Sequence, residues 1–204
     1  AHEIWFTLES DNETLKRYPY QFILELGYEL SDTTVIVKWR VKNPADERMY
    51  FAIGGHPAFL CPIESGTKQC DYKIRFDTKA QVVSSGLENG LVTDNDATYA
   101  LQDGVLPITE HLFDGDALVI EHHQAHRVSL VDPEGQEYLS VSFDAPLFGI
   151  WSCPKKQAPF VCLEPWYGRC DAADFEGSWE ERVWSNTLEP GEVFEKSFRI
   201  GLGE

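Results

Sequence analysis

The sequence predicts an all-β domain. About ten apolar runs alternate with a period of two, the helical signal amounts to a turn or two, and turn-forming residues recur between the runs. With 204 residues, 43% of them apolar and 13% aromatic, residues 1–204 can bury a sizeable core as one single domain.

The elements follow in order. The opening Ile4-Trp5-Phe6-Thr7-Leu8 already reads as an interior strand, with no turn before it. That start suggests the C-terminal part of a longer chain, whose sheet lacks its N-terminal strands and exposes an unpaired edge. Ser10-Asp11-Asn12-Glu13 fits a capping-box start for a short helical turn through Leu15 and Arg17. Tyr20 to Tyr28, Thr34 to Val41 and Met49 to Ile53 are rich in β-branched and aromatic residues, and their spacing suggests a meander of three strands. Tyr72 to Phe76 is a further strand, the polar stretch Ser84 to Asp96 reads as a loop, and Pro107 to Leu112 as a helical turn. Strands are then expected at Ala117 to Ile120, Arg127 to Val131, Tyr138 to Phe143, Phe148 to Ser152, Phe160 to Leu163 and Phe194 to Ile200. Asp132-Pro133-Glu134-Gly135 and Glu189-Pro190-Gly191-Glu192 mark turns, and the acidic run Glu176 to Glu181 a solvated loop.

Charge narrows the partners. Seventeen basic residues against thirty-four acidic ones give a net charge of −17, which repels nucleic-acid phosphates and anionic membranes. No apolar run is long enough to span a bilayer and the first residues lack a signal-peptide pattern, so a soluble, cytoplasmic protein is expected. Cys61, Cys70, Cys153, Cys162 and Cys170 are odd in number and form no CxxC pair, which reads as reduced thiols.

Two segments carry the chemistry: Ile53-Gly54-Gly55-His56-Pro57-Ala58-Phe59 and Val161-Cys162-Leu163-Glu164-Pro165-Trp166-Tyr167-Gly168. Each places one titratable side chain directly before a proline, which holds that residue extended. Gly54-Gly55 removes side chains where backbone or ligand approaches closely, so His56 is expected beside open space. Glu164 ends a run that should be buried, a costly place for a carboxylate unless it is paired, for example with Arg169, or lines a cavity. Histidine and glutamate are natural acid and base partners. Glu121-His122-His123 with His126 is a weaker metal-like pattern, since adjacent histidines on a strand point to opposite faces.

Both segments resemble the aldose 1-epimerase (galactose mutarotase-like) superfamily, and most closely its LacX-like branch. The resemblance extends through Tyr18-Pro19-Tyr20, Val41-Lys42-Asn43-Pro44, Leu112-Phe113-Asp114 and Leu188-Glu189-Pro190-Gly191-Glu192, and the Gly-Gly-His-Pro-Ala-Phe string at 54–59 is its most specific part. It implies a β-supersandwich with a sugar cleft, His56 as general acid and Glu164 as general base, and interconversion of hexose anomers by ring opening and closure. It also implies an aldohexose ligand, no metal and no organic cofactor. Asp114 or Asp116 stands where the family keeps a substrate-binding aspartate, and Trp151 is a candidate to flank the sugar. The family's mutarotases also use an arginine and a second histidine from an N-terminal segment, and nothing before Ile4 supplies them. Two alternatives stay open: a hexose-phosphate 1-epimerase, which gathers Arg or Lys around the phosphate, and a non-catalytic carbohydrate-binding protein on the same fold.

Overall fold

The computed structural model describes residues 2–203. Its strands are β1 (Glu3–Glu9), β2 (Ile23–Ser31), β3 (Thr34–Lys42), β4 (Met49–Phe51), β5 (Ile53–Gly54), β6 (Ala58–Leu60), β7 (Lys73–Phe76), β8 (Gln81–Glu88) and β9 (Leu91–Ala100). They continue as β10 (Val105–Pro107), β11 (Leu118–Ile120), β12 (Arg127–Val131), β13 (Glu137–Phe143), β14 (Leu147–Trp151), β15 (Phe160–Tyr167), β16 (Asn186–Leu188) and β17 (Val193–Leu202). Helical structure among the described residues is confined to single 3-10 turns at Thr14–Lys16, Gln69–Asp71 and Trp179–Glu181. No helix among them is long and apolar enough to cross a membrane.

Two antiparallel sheets pack face to face. The first runs β1-β2-β3-β17-β13-β12-β7-β10, and the second β5-β15-β14-β11-β8-β9 with β6 also paired to β15. Alternation along each strand explains the core. Trp39, Ile74, Leu130, Val141 and Phe198 from the first sheet meet Val82, Ile120, Phe148, Ile150 and Leu163 from the second in one apolar cluster. The opposite face of β15, carrying Cys162, Glu164 and Trp166, is thereby left for other work.

Several expectations change. The meander stops at β3, which pairs next with β17, while β4 leaves the sheet to pair with β16. The stretch Ser84 to Asp96 is not a loop but most of the β8–β9 hairpin. Its turn is Asn89-Gly90 with φ of 53° and 79°, the left-handed pair that a tight hairpin requires. The hairpin ends its sheet and keeps most of β9 exposed, so polar residues cost nothing there and the apolar signal is absent. The acidic run Glu176 to Glu181 ends in the 3-10 turn at Trp179–Glu181, whose start is held by Glu181 accepting from the Ser178 N–H and Oγ. The first turn forms with Asp11, rather than Ser10, accepting from the Glu13 and Thr14 N–H groups.

Among the described residues β1 forms one edge of the first sheet, the exposed edge that the opening of the sequence leads one to expect. Ile4, Phe6 and Leu8, on the face shared with Leu24, Leu26 and Tyr28 of β2, are each more than half exposed.

Candidate active site

The flanking of β15 brings His56 to Glu164. On one side β15 pairs with β14, placing Glu164 opposite Gly149. On the other it pairs with β6, Cys162 opposite Ala58, and then with β5, Trp166 opposite Gly54. Gly55, His56 and Pro57 lie between these ladders, tied by Gly55 N–H to the Pro165 carbonyl at 3.0 Å and by Leu163 N–H to the Pro57 carbonyl at 3.3 Å. The register on both sides sets His56 opposite Glu164, and opposed residues of an antiparallel pair share a face. Pro57 and Pro165 have no N–H to give a ladder, so the two strands part at this point. Nδ1 of His56 stands 3.4 Å from Oε1 of Glu164.

The glycines serve the protein's own aromatic rings. A Cβ at Gly149 would lie 2.4 Å from the Trp166 ring, one at Gly54 2.5 Å from Trp166 Cδ1, and one at Gly55 3.0 Å from the Phe198 ring. Trp166 therefore lies flat across two glycines as a wall of the site, and the close approach expected at Gly54-Gly55 is made by Trp166 and Phe198. Gly149→Ala is expected to push the indole out of place and cost about 1–3 kcal/mol, read as a lowered denaturation midpoint together with a changed tryptophan emission.

The two titratable groups sit in opposite environments. His56 is 64% exposed and Glu164 only 4%. Burial pushes the Glu164 carboxyl up to about 7, with the Asp116 carboxylate adding to the rise and the Trp166 indole opposing it. Arg169, a possible counter-ion on sequence, does not pair with Glu164. Its Nε donates to Glu121 at 2.7 Å. Among the described residues His56 is the partner of Glu164, and no lysine or arginine is.

Of the two candidate aspartates, Asp114 is engaged by His111 Nδ1 at 2.8 Å. Asp116, whose Oδ1 accepts from the Ala117 N–H at 2.8 Å, lines a hollow of about 370 Å³ with Ser85, Leu87 and His111. It holds a left-handed φ of 90°, a conformation that costs a non-glycine residue energy and clusters at functional sites. Trp151 packs edge-on to the His56 imidazole, ring centres 5.9 Å apart, on the same face of the sheet and one row away, since it opposes Cys162.

His56 and Glu164 line a common cavity of about 460 Å³ with Trp166, Arg169, Leu87 and Val119, within the roughly 300–1,000 Å³ of small-molecule sites. Leu87 borders both this cavity and the Asp116 hollow. Trp166, although adjacent to Glu164 in sequence, and Arg169, Leu87 and Val119 were not singled out as site residues. Trp166 carries a signal as an aromatic beside a candidate base, and Arg169 one as a cation near it.

The donor atoms of His56, Cys162 and Glu164 lie within 4.8 Å of one another. Burial, with the neighbouring carboxylate, pushes the Cys162 thiol up to about 12, so it stays a protonated, inert group rather than a thiolate. The metal-like pattern at 121–126 resolves otherwise. His122 and His123 are in a left-handed turn (φ 66° and 54°), not on a strand, and Glu121 is taken up by Arg169, Ser85 and Trp184.

Comparison with known proteins bears on the family and the fold. The family model described as aldose 1-epimerase matches residues 1–201. The protein LacX (plasmid) of Lactococcus lactis subsp. lactis is 30% identical over 206 residues, covering 98% of this chain and 69% of LacX. A galactose mutarotase related enzyme from Lactobacillus acidophilus superposes with a TM-score of 0.91 at 31% identity, over 100% of this chain and 68% of its own. A galactose mutarotase-like protein from Lactobacillus casei ATCC 334 gives a TM-score of 0.86 at 26% identity, over 98% of this chain and 70% of its own.

Proposed function

The chain belongs to the aldose 1-epimerase family, and from that premise we propose that it interconverts the α and β anomers of a neutral aldohexose, with Glu164 as general base and His56 as general acid. Glu164 takes the proton of the C1 hydroxyl while His56 gives one to the ring oxygen. The bond between C1 and the ring oxygen breaks, leaving the open-chain aldehyde. After rotation about C1–C2 the freed hydroxyl adds to the other face of the carbonyl, its proton returns to His56, and Glu164 returns one to O1. Atoms and charge balance within a single substrate, so the reaction calls for no metal or organic cofactor. Asp116 accepts from a sugar hydroxyl, and Trp166 and Trp151 offer flat apolar faces for ring C–H groups.

The observation that carries this reading is the pairing of an exposed imidazole with a buried carboxyl that no lysine or arginine neutralises, in one cavity. A base works best with a pKa near the working pH, and a positioned acid and base each contribute about 10²–10⁴ in rate. The base must be ionised. Activity is therefore expected to fall about tenfold per pH unit below about 7, as Glu164 takes up its proton. Polarimetry of freshly dissolved α-galactose and α-glucose between pH 5 and 8 measures this. An acid limb near 4.5, the ordinary carboxyl value, would remove Glu164 from the role.

The neutral sugar is favoured over a sugar phosphate by the pairing of the nearby cations. Arg169 is neutralised by Glu121 and Arg182 by Asp171, so among the described residues neither offers a spare cation to a phosphate dianion. Glucose 6-phosphate in the same assay is expected to react more slowly than glucose. Binding without exchange of anomers would instead indicate a carbohydrate-binding protein.

A further inference from the structure

We propose that Arg169 is the residue that reads the sugar's identity, its guanidinium fork donating to two adjacent hydroxyls away from the anomeric carbon; this rests on the anomer-exchange reading of the same cavity. Arg169 follows Gly168, whose φ of 138° and whose contact with Ala52, 2.3 Å from where a Cβ would stand, admit only glycine. That turn ends β15 and brings Arg169 onto the wall that also carries Glu164 and His56.

The side chain is built in rather than lying on the surface. Its relative exposure is 9%, as is that of its partner Glu121. Burial alone would raise the Glu121 carboxyl, but hydrogen bonds from Arg169, Ser85 and Trp184 outweigh it and hold the group below the usual range. Glu121 is thus a fixed anion, and Ser85 Oγ at 2.6 Å and the Trp184 indole N–H fix it in turn.

A guanidinium carries five N–H donors. Among the described residues, Nε bonds Glu121 at 2.7 Å and Nη1 bonds the Cys170 carbonyl at 2.8 Å, leaving Nη2 and the second Nη1 hydrogen for a ligand in the cavity. A planar fork matches two neighbouring oxygens better than one. Because Glu121 cancels the charge, the fork suits neutral hydroxyls rather than a dianion. Arg169 pairs with Glu121 and Glu164 with His56, which separates hydroxyl reading from proton transfer.

The test compares the full chain with Arg169→Lys, which keeps the charge beside Glu121 and loses the fork. A double variant, Arg169→Met with Glu121→Gln, removes both charges and leaves no buried ion stranded. Galactose and its 2-, 3-, 4- and 6-deoxy analogues are assayed for anomer exchange and, separately, for binding by tryptophan emission. Both variants are expected to raise KM and Kd for galactose by ~10- to 100-fold, the range for a hydrogen bond to a charged group, with kcat within about threefold and the acid limb of the pH profile unmoved. Wild type should discriminate against deoxy sugars at two adjacent positions, and the variants should lose that discrimination. Folded variants with unchanged KM and Kd, or with discrimination intact, would overturn the assignment. Should wild type exchange no anomers, the binding series alone still decides on Arg169.

Discussion

Glu164→Gln is expected to lose anomer exchange by about 10²–10⁴, the range for a general base, and to make the protein more stable above pH 7. The two effects have one cause. A carboxyl that is 4% exposed and raised from 4.5 to about 7 binds its proton more tightly in the folded chain than in the unfolded one. Below pH 4.5 both states hold the proton and the group costs nothing. As pH rises from 4.5 to 7 the unfolded chain releases its proton first, and folding loses on the order of 3 kcal/mol. Glutamine cannot ionise, so its advantage grows through that window and is constant beyond it. Denaturant unfolding of both proteins at pH 5 and pH 8 measures this: a gap that widens from pH 5 to pH 8 is predicted, and a gap independent of pH would refute the buried, unneutralised carboxyl. Stability given up for a poised base is a common bargain at functional sites.

His56→Asn is expected to lose a similar 10²–10⁴ in rate with a different signature. The imidazole is 64% exposed, so stability should change by no more than about 0.5 kcal/mol. Asparagine can still face Glu164 but delivers no proton to the ring oxygen. The residual activity should keep the acid limb near 7, because Glu164 still titrates. Full activity in a folded His56→Asn would exclude the histidine as the acid, and a vanished acid limb would show that the two groups had been assigned the wrong way round.

What the sequence revealed and what it hid follow from the range of the interactions involved. Strands with one buried face, such as Thr34 to Val41 and Tyr138 to Phe143, show their alternation openly and appear almost as read. The β8–β9 hairpin did not, since an edge strand with exposed side chains obeys no apolar pattern. Its one signal was Asn89-Gly90, hidden in polar sequence. His56 and Glu164 stood out because proline follows each, but their meeting depends on the register of β15 between β5 and β6, a relation across more than a hundred residues. Asp114 and Asp116 differ in a backbone angle and in the bond to His111, neither visible in a pair of acidic residues around one glycine. Arg169 was read toward the nearer candidate, Glu164, whereas its partner Glu121 lay beside two histidines that suggested a metal.

Two-dimensional exchange NMR on an equilibrium mixture of galactose anomers tests the central claim most directly. With wild-type protein, cross-peaks between the α and β anomeric protons should build up at mixing times where buffer alone shows none, in proportion to protein concentration. They should be missing with Glu164→Gln. Folded wild-type protein that binds the sugar yet leaves those cross-peaks at the buffer level would contradict it.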